Sequence, residues 1–340
     1  MRAILALLVL MACGGVRAAE PAILNAATIP NIDASGRAQY ARFLLMNLPR
    51  AFALSANGKT GWFGGAGTLE DVRAKAVASC TEKGGTGCAV YAENLRVVWP
   101  GRETPEPPAP PGPLIQTGDY AFVPDPRFIW RGPQTAVGLY VWGHGQFNGV
   151  DSRGQQPQAY VRAFNNAGFD VVRFDRDPFH DYRDDAADWL RQGLATLRQQ
   201  GWKKIVAGGQ SRGAWTSLQM LETAGLADAV VAVSPAYFSG GTDNTGDMYR
   251  LTQSVRSPAT RVAIMQFTGD IYLKDMDSRV GMYRDGLPSR VAALLTIDRP
   301  AGITGHGGGN TAAFAQGYAN CLLRFVMDPV PPAACPASAP

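Results

Sequence analysis

Histidine is scarce in this chain: three occur in 340 residues. Five cysteines accompany them, with no C-x-x-C pair and no His/Cys cluster. A zinc site needs such ligands at close spacing, so metal binding is not expected. Dense Lys/Arg runs are missing as well, and the net charge is only +4. Without a basic stripe or a recognisable motif, nucleic-acid binding is excluded. No segment beyond the N-terminus is long and apolar enough for a transmembrane helix, and no internal repeat is visible. What remains is an ordinary globular composition, 46 % apolar and 18 % charged, in a chain long enough for one large domain and a smaller module.

The N-terminus is distinctive. Arg2 precedes an unbroken apolar run, Ala3 to Ala12, and small residues lead to Ala18-Ala19. This reads as a signal peptide over residues 1–19, and hence as export to the periplasm or the medium. A second reading of the same segment is a lipobox, Leu10-Met11-Ala12-Cys13, with Cys13 as a lipid anchor. The other cysteines are Cys80, Cys88, Cys321 and Cys335. An even count in an exported chain suggests disulfides, and the local pairs Cys80–Cys88 and Cys321–Cys335 are the simplest connectivity. Four reduced, buried thiols are the alternative.

Residues 20–99 read as a small α+β module. A helix is expected over Gly36–Leu48 and a strand over Arg50–Ser55, followed by an Asn57-Gly58 turn. A second helix, Leu69–Cys80, has Thr68 as its N-cap and Val72, Ala76 and Ser79 on one face. An extended pair comes next, over Cys88–Trp99. No chemistry is evident in this module. Pro100–Pro113 holds seven prolines in fourteen residues, so 100–117 reads as a semi-rigid linker.

From Gly118 the pattern alternates. Strands are expected at Ala136–Trp142, Phe169–Phe174, Lys204–Gly208, Ala229–Val233, Arg261–Phe267 and Arg290–Ile297. Helices are expected at Pro157–Ala167, Asp184–Gln199, Arg212–Ala224 and Ala312–Val326. Such alternation implies an α/β domain over 118–330, a doubly wound and mostly parallel sheet, with 331–340 as a tail.

Gly209-Gln210-Ser211-Arg212-Gly213 is G-x-S-x-G, set between a strand and an amphipathic helix. A nucleophilic serine needs that setting. The tight turn projects its hydroxyl above the sheet, at a helix N-terminus where backbone N–H groups meet a developing oxyanion. Serine also needs a base, and the base an orienting acid. His306 is the one histidine after Ser211, in Gly305-His306-Gly307-Gly308-Gly309. Asp270 ends the strand Arg261–Phe267 through Thr268-Gly269 and is assigned as the acid, with Asp275, Asp277 and Asp298 as competitors. Gly143-His144-Gly145-Gln146 comes directly after an earlier strand. The backbone N–H of Gln146 would be one oxyanion donor and that of Arg212 the other, with His144 holding the loop. His180, Trp142, Trp215 and Tyr237 either line the pocket or serve as ordinary loop and core residues.

With these pieces in order, residues 118–330 resemble the α/β-hydrolase superfamily. The resemblance implies hydrolysis of an ester, amide or thioester through an acyl-enzyme on Ser211, with no metal or organic cofactor. The short polar stretch Ser234–Pro258 argues against a large apolar lid. The expected substrate is a small or medium-sized carboxylic ester. A serine peptidase of the same fold, and a non-catalytic envelope binding protein acting through its N-terminal module, are the competing readings.

Overall fold

The computed structural model describes residues 21–146, 150–179, 181, 185–237, 245–273 and 275–336. The segment read as a signal peptide, with Cys13, lies outside these, as do His180 and Ser239–Asp243.

The N-terminal module is a four-stranded antiparallel sheet between two helices. In chain order it comprises α1 (Ala34–Leu44), β1 (Arg50–Leu54), β2 (Thr60–Gly64), α2 (Leu69–Glu82), β3 (Ala89–Glu93) and β4 (Arg96–Val97), with strand order β2-β1-β3-β4. Side chains of β1 alternate between faces. Phe52 and Leu54 join Tyr40 and Phe43 of α1, whereas Ala51 and Ala53 meet Val72, Ala76 and Cys80 of α2. The buried face of α2 thus runs through Cys80 rather than Ser79, as an i, i+4, i+8 stripe demands. Thr68 and Asp71 close a reciprocal capping box at its start. The strand β2 was not expected from the sequence, because two of its five residues are glycine. Gly61 is there for space: a Cβ would lie 2.2 Å from the Ala76 carbonyl oxygen of α2. A Cys80–Cys88 disulfide ties α2 to the start of β3.

The second unit contains β5 (Ile115–Gln116), β6 (Tyr120–Pro124), β7 (Gly138–Gly143), α3 (Val161–Asn166), β8 (Phe169–Arg176), α4 (Asp185–Gln199), β9 (Ile205–Gln210), α5 (Arg212–Gln219), β10 (Ala229–Val233), α6 (Thr245–Ser254), β11 (Ser257–Gln266), α7 (Met276–Gly286), β12 (Val291–Asp298) and α8 (Ala312–Met327). Its eight strands run in the order β12-β11-β10-β9-β7-β8-β6-β5. Strands β7 to β12 are parallel, and β6 and β5 complete the sheet antiparallel at one edge. The edge strand β5 falls within the 100–117 stretch read as linker, so the sheet begins at Ile115.

Helices cover both faces. Tyr140, Val206, Val231 and Met265 pack under α3 and α8. Leu139, Val141 and Ile205 face α4, and Val230, Val262 and Ile264 face α5, α6 and α7. Burial on both faces explains why these strands read as continuous apolar runs. The expected helix at 157–167 is shorter, with residues 161–166 in the α-helix. A second disulfide, Cys321–Cys335, folds the tail back on α8.

The two units are joined by polar contacts. The Gln156 carboxamide accepts from Leu48 N–H (2.9 Å) and donates to Leu48 C=O (3.1 Å). Asn47 donates to the Pro157 carbonyl, and the buried Arg162 reaches Asn47, Gln156 and the Arg127 carbonyl. The N-terminal module therefore braces the segment downstream of the Gly143–Gln146 loop.

Candidate active site

Strand order reverses between β9 and β7, and the carboxyl ends of strands at such a switch point form a natural crevice. Ser211 stands there, between the last residue of β9 and the first of α5. Its backbone has φ 55° and ψ −118°, a conformation costly to a residue with a side chain. The turn is held by Ser211 N–H on the Val233 carbonyl and by Trp215 N–H on the Ser211 carbonyl. Both motif glycines are required by closeness. A Cβ on Gly209 would lie 2.4 Å from the Gly143 carbonyl oxygen, and one on Gly213 only 2.1 Å from it. The elbow is pressed against the end of β7, where the Gly143–Gln146 loop begins.

Parallel pairing brings the proposed acid and base together. Beyond the β11–β12 ladder the two chain segments stay in register through a bridge between Thr268 and Thr304. Gly305 N–H donates to the Thr268 carbonyl at 2.8 Å. The next residues are Asp270 on one side and His306 on the other. His306 Nδ1 lies 2.7 Å from Asp270 Oδ2 and 2.9 Å from Oδ1. That carboxylate is fully buried and also accepts from Tyr272 N–H at 2.9 Å. The Tyr272 ring meets the imidazole edge-on at 4.6 Å. Gly308 and Gly309 press on Phe267 and Val233 too closely for any side chain, which seats the histidine loop on the ends of β11 and β10. His306 Nε2 is buried and has no hydrogen-bond partner among the described residues, Ser211 included. An imidazole fixed through Nδ1 leaves Nε2 as the ring nitrogen that could take a proton.

The competing aspartates are occupied elsewhere. Asp275 caps α7, and Asp277 and Asp298 both bind Arg299.

The loop expected to carry an oxyanion donor runs from His144 to Gln146. A Cβ on Gly145 would lie 3.5 Å from the Ser211 Cβ, so this loop flanks Ser211 directly. Arg212 opens α5, and its N–H belongs to the first turn, whose donors have no partner within the helix. His144 is buried. Its Nδ1 contacts the Gly145 carbonyl at 2.6 Å, and its Nε2 accepts from Arg176 N–H at 3.2 Å. That pattern assigns the proton to Nδ1 of a neutral ring. Burial, and then the Arg176 guanidinium, push this imidazole down to about 3.

Several residues here escaped the sequence reading. Gln210 donates to the His306 carbonyl at 3.3 Å. Its Oε1 would be 2.7 Å from a Cβ on Gly145, so one carboxamide bridges both loops. Arg176 and Asp181 form a buried ion pair at 2.7 Å, and Arg212 joins it at 3.5 Å. Burial alone would raise the Asp181 carboxyl, but Arg176 and Arg212 outweigh it and hold it below the usual range. A signal was present: β8 ends in Arg173-Phe174-Asp175-Arg176, charged sequence on a buried strand. Trp142 and Trp215 are core residues, and Tyr237 packs on Trp215 and under the Arg212 guanidinium.

No protein-family model and no curated protein matches this sequence. Solved structures do show similarity. The Pyrococcus furiosus esterase Pf2001 is 17 % identical over 53 % of this chain and 78 % of its own, with a TM-score of 0.38. Porphyromonas gingivalis dipeptidyl peptidase 4 is 12 % identical over 55 % of this chain and 30 % of its own, at 0.41. Pyrococcus horikoshii acylaminoacyl peptidase is 11 % identical over 68 % of this chain and 46 % of its own, at 0.42. The chain thus spans less than half the length of either peptidase. By its own strand order, with an antiparallel edge beside six parallel strands and a serine elbow after the central one, this chain has the α/β-hydrolase fold.

Proposed function

We propose that the chain is an exported serine hydrolase that cleaves a carboxylic ester through an acyl-enzyme on Ser211. The observation that carries this reading is the His306–Asp270 pair with Nε2 left unpartnered. His306 Nε2 takes the Ser211 proton as Oγ attacks the acyl carbon. Asp270 fixes the ring through Nδ1–H and stabilises the imidazolium. The N–H groups of Gln146 and Arg212 receive the oxyanion. His306 then protonates the leaving alkoxide, and water attacks the acyl-enzyme by the same route.

Two apolar side chains on the rim support an apolar acyl or alkoxy group of small or medium size. Ile271, next to Asp270, is 77 % exposed, and Phe179, two residues before Asp181, is 69 % exposed. Export is supported by the apolar N-terminal run and by two disulfides.

The test is fluorophosphonate labelling of the purified chain beside Ser211→Ala and His306→Ala, then turnover of matched p-nitrophenyl esters and p-nitroanilides. Labelling lost in Ser211→Ala and slowed at least ~100-fold in His306→Ala is expected, with esters turned over faster than anilides. A folded wild type that does not label would overturn the reading. Faster anilide cleavage would make it a peptidase.

A further inference from the structure

Both residues assigned as oxyanion donors lean on a third that belongs to neither loop. The Gln146 side chain donates through Nε2 to the Asp181 carbonyl at 3.3 Å. The Arg212 side chain, only 3 % exposed, places Nε 3.5 Å from Asp181 Oδ1. The other carboxylate oxygen accepts from Arg176 Nε at 2.7 Å. Arg176 in turn donates to the His144 carbonyl at 2.7 Å and, through its backbone N–H, to His144 Nε2. Asp181 itself is fixed by its N–H on the Asp177 carbonyl. One carboxylate-bearing residue therefore touches the elbow by its side chain and the oxyanion loop by its carbonyl. Through Arg176 it also reaches the base of that loop.

We infer that Asp181 is the positioning residue that sets the distance between the Gln146 and Arg212 N–H groups. The inference rests on the proposed reading of Ser211 and its two donors. An oxyanion hole works only when its donors stand about 2.7–3.1 Å from the place where the oxyanion will form. The two N–H groups come from different strands, β7 and β9, whose loops have no regular ladder between them. A backbone N–H on a loop is held only as well as the loop is. A buried carboxylate hydrogen-bonded to one guanidinium and 3.5 Å from a second is costly to move, because any displacement leaves charge unpaired away from water. The side chains of Gln146 and Arg212 transmit that rigidity to their own backbones. The sequence places these tethers at the two donor residues themselves, which a merely structural ion pair has no reason to do.

The prediction concerns kcat more than KM, because the hole is filled in the transition state and not by bound ester. Asp181→Asn keeps the shape and the backbone carbonyl but weakens the grip on both arginines. Gln146→Ala removes the second tether, keeps the donor N–H and creates no buried charge, so it tests the clamp even if Asp181→Asn does not fold. Each variant is measured for kcat and KM on p-nitrophenyl butyrate, for the rate of fluorophosphonate labelling, for the inhibition constant of a trifluoromethyl ketone, and for melting temperature. We expect about 10- to 100-fold losses in kcat and labelling rate, with KM within about threefold. Trifluoromethyl ketone binding should weaken in parallel, since its adduct carries the oxyanion. The double variant should lose less than the product of the two single losses, because both act on one clamp. Labelling and kcat within about twofold of wild type in folded Gln146→Ala would overturn the inference. So would losses confined to KM or to melting temperature. A wild type that labels normally, beside variants that also do, removes the clamp and leaves Ser211 in place. A wild type that does not label removes both.

Discussion

A Cβ on Gly213 would fall 2.1 Å from the Gly143 carbonyl oxygen and 2.7 Å from that of His144. Closeness of this kind, not flexibility, is what the second motif glycine supplies. Gly213→Ala should therefore push the elbow away from the loop that carries Gln146. Ser211 presents the opposite case. Its φ of 55° favours glycine, and the serine side chain is kept there against a conformational cost. Ser211→Gly should be more stable than Ser211→Ala by about 1 kcal/mol. Equal melting curves would place no strain at Ser211.

Helix α8 closes the second unit, and two devices anchor the chain at its end. Arg261 of β11 donates to the carbonyls of Phe325, Val326 and Asp328, capping the orphan carbonyls of the last turn. The Cys321–Cys335 disulfide then closes a loop with a sequence separation of 14. Replacing both cysteines by alanine should cost up to about 3 kcal/mol, because the unfolded chain regains the freedom the crosslink removes. Equilibrium unfolding in urea measures it. The expected change is in the midpoint and not in fluorophosphonate labelling of the folded protein, since neither cysteine belongs to the site. At the other end, the expected helix at 36–48 stops at Leu44, because the residues after it turn to present Asn47 and Leu48 to Gln156 and Pro157.

At the scale of the molecule, one buried ring contributes acid sensitivity near neutral pH. The His144 imidazole sits at about 3 in the fold against 6.5 in the open chain. As pH falls, the unfolded state takes the proton first. The stabilising contribution is complete above pH 6.5 and is lost progressively toward pH 3, with about 2 kcal/mol gone by about pH 5. His144→Gln should show a shallower decline in unfolding free energy between about pH 7 and pH 5 than the wild type. Parallel curves would assign the acid sensitivity to other groups. The N-terminal module contributes at this scale as a brace, since Asn47 and Leu48 hold Gln156 and Pro157, downstream of the His144 loop.

Much of the fold was legible in the residues themselves. The inner parallel strands β7, β9 and β10 read as apolar runs because both of their faces are buried, and both disulfides were expected from short spacings in a chain with an apolar N-terminal run. What the sequence determined is what depends on local chemistry: a turn only glycine fits, a capping box at Thr68, a strand that must be apolar throughout. The strands β2, β5 and β6 and the helices α6 and α7 were not read. The patterning of β2, α6 and α7 is interrupted by glycine or diluted by polar residues, β5 is two residues long and β6 ends in proline, and pairing or packing with distant elements forms them. The contact between Asp270 and His306, 36 residues apart, depends on two parallel strands lying in register. The convergence of Arg176, Asp181, Arg212 and Gln146 depends on three loops meeting at one end of the sheet. Buried charges carry no periodicity, so only tertiary structure decides which of many arginines and aspartates leave water together, and where.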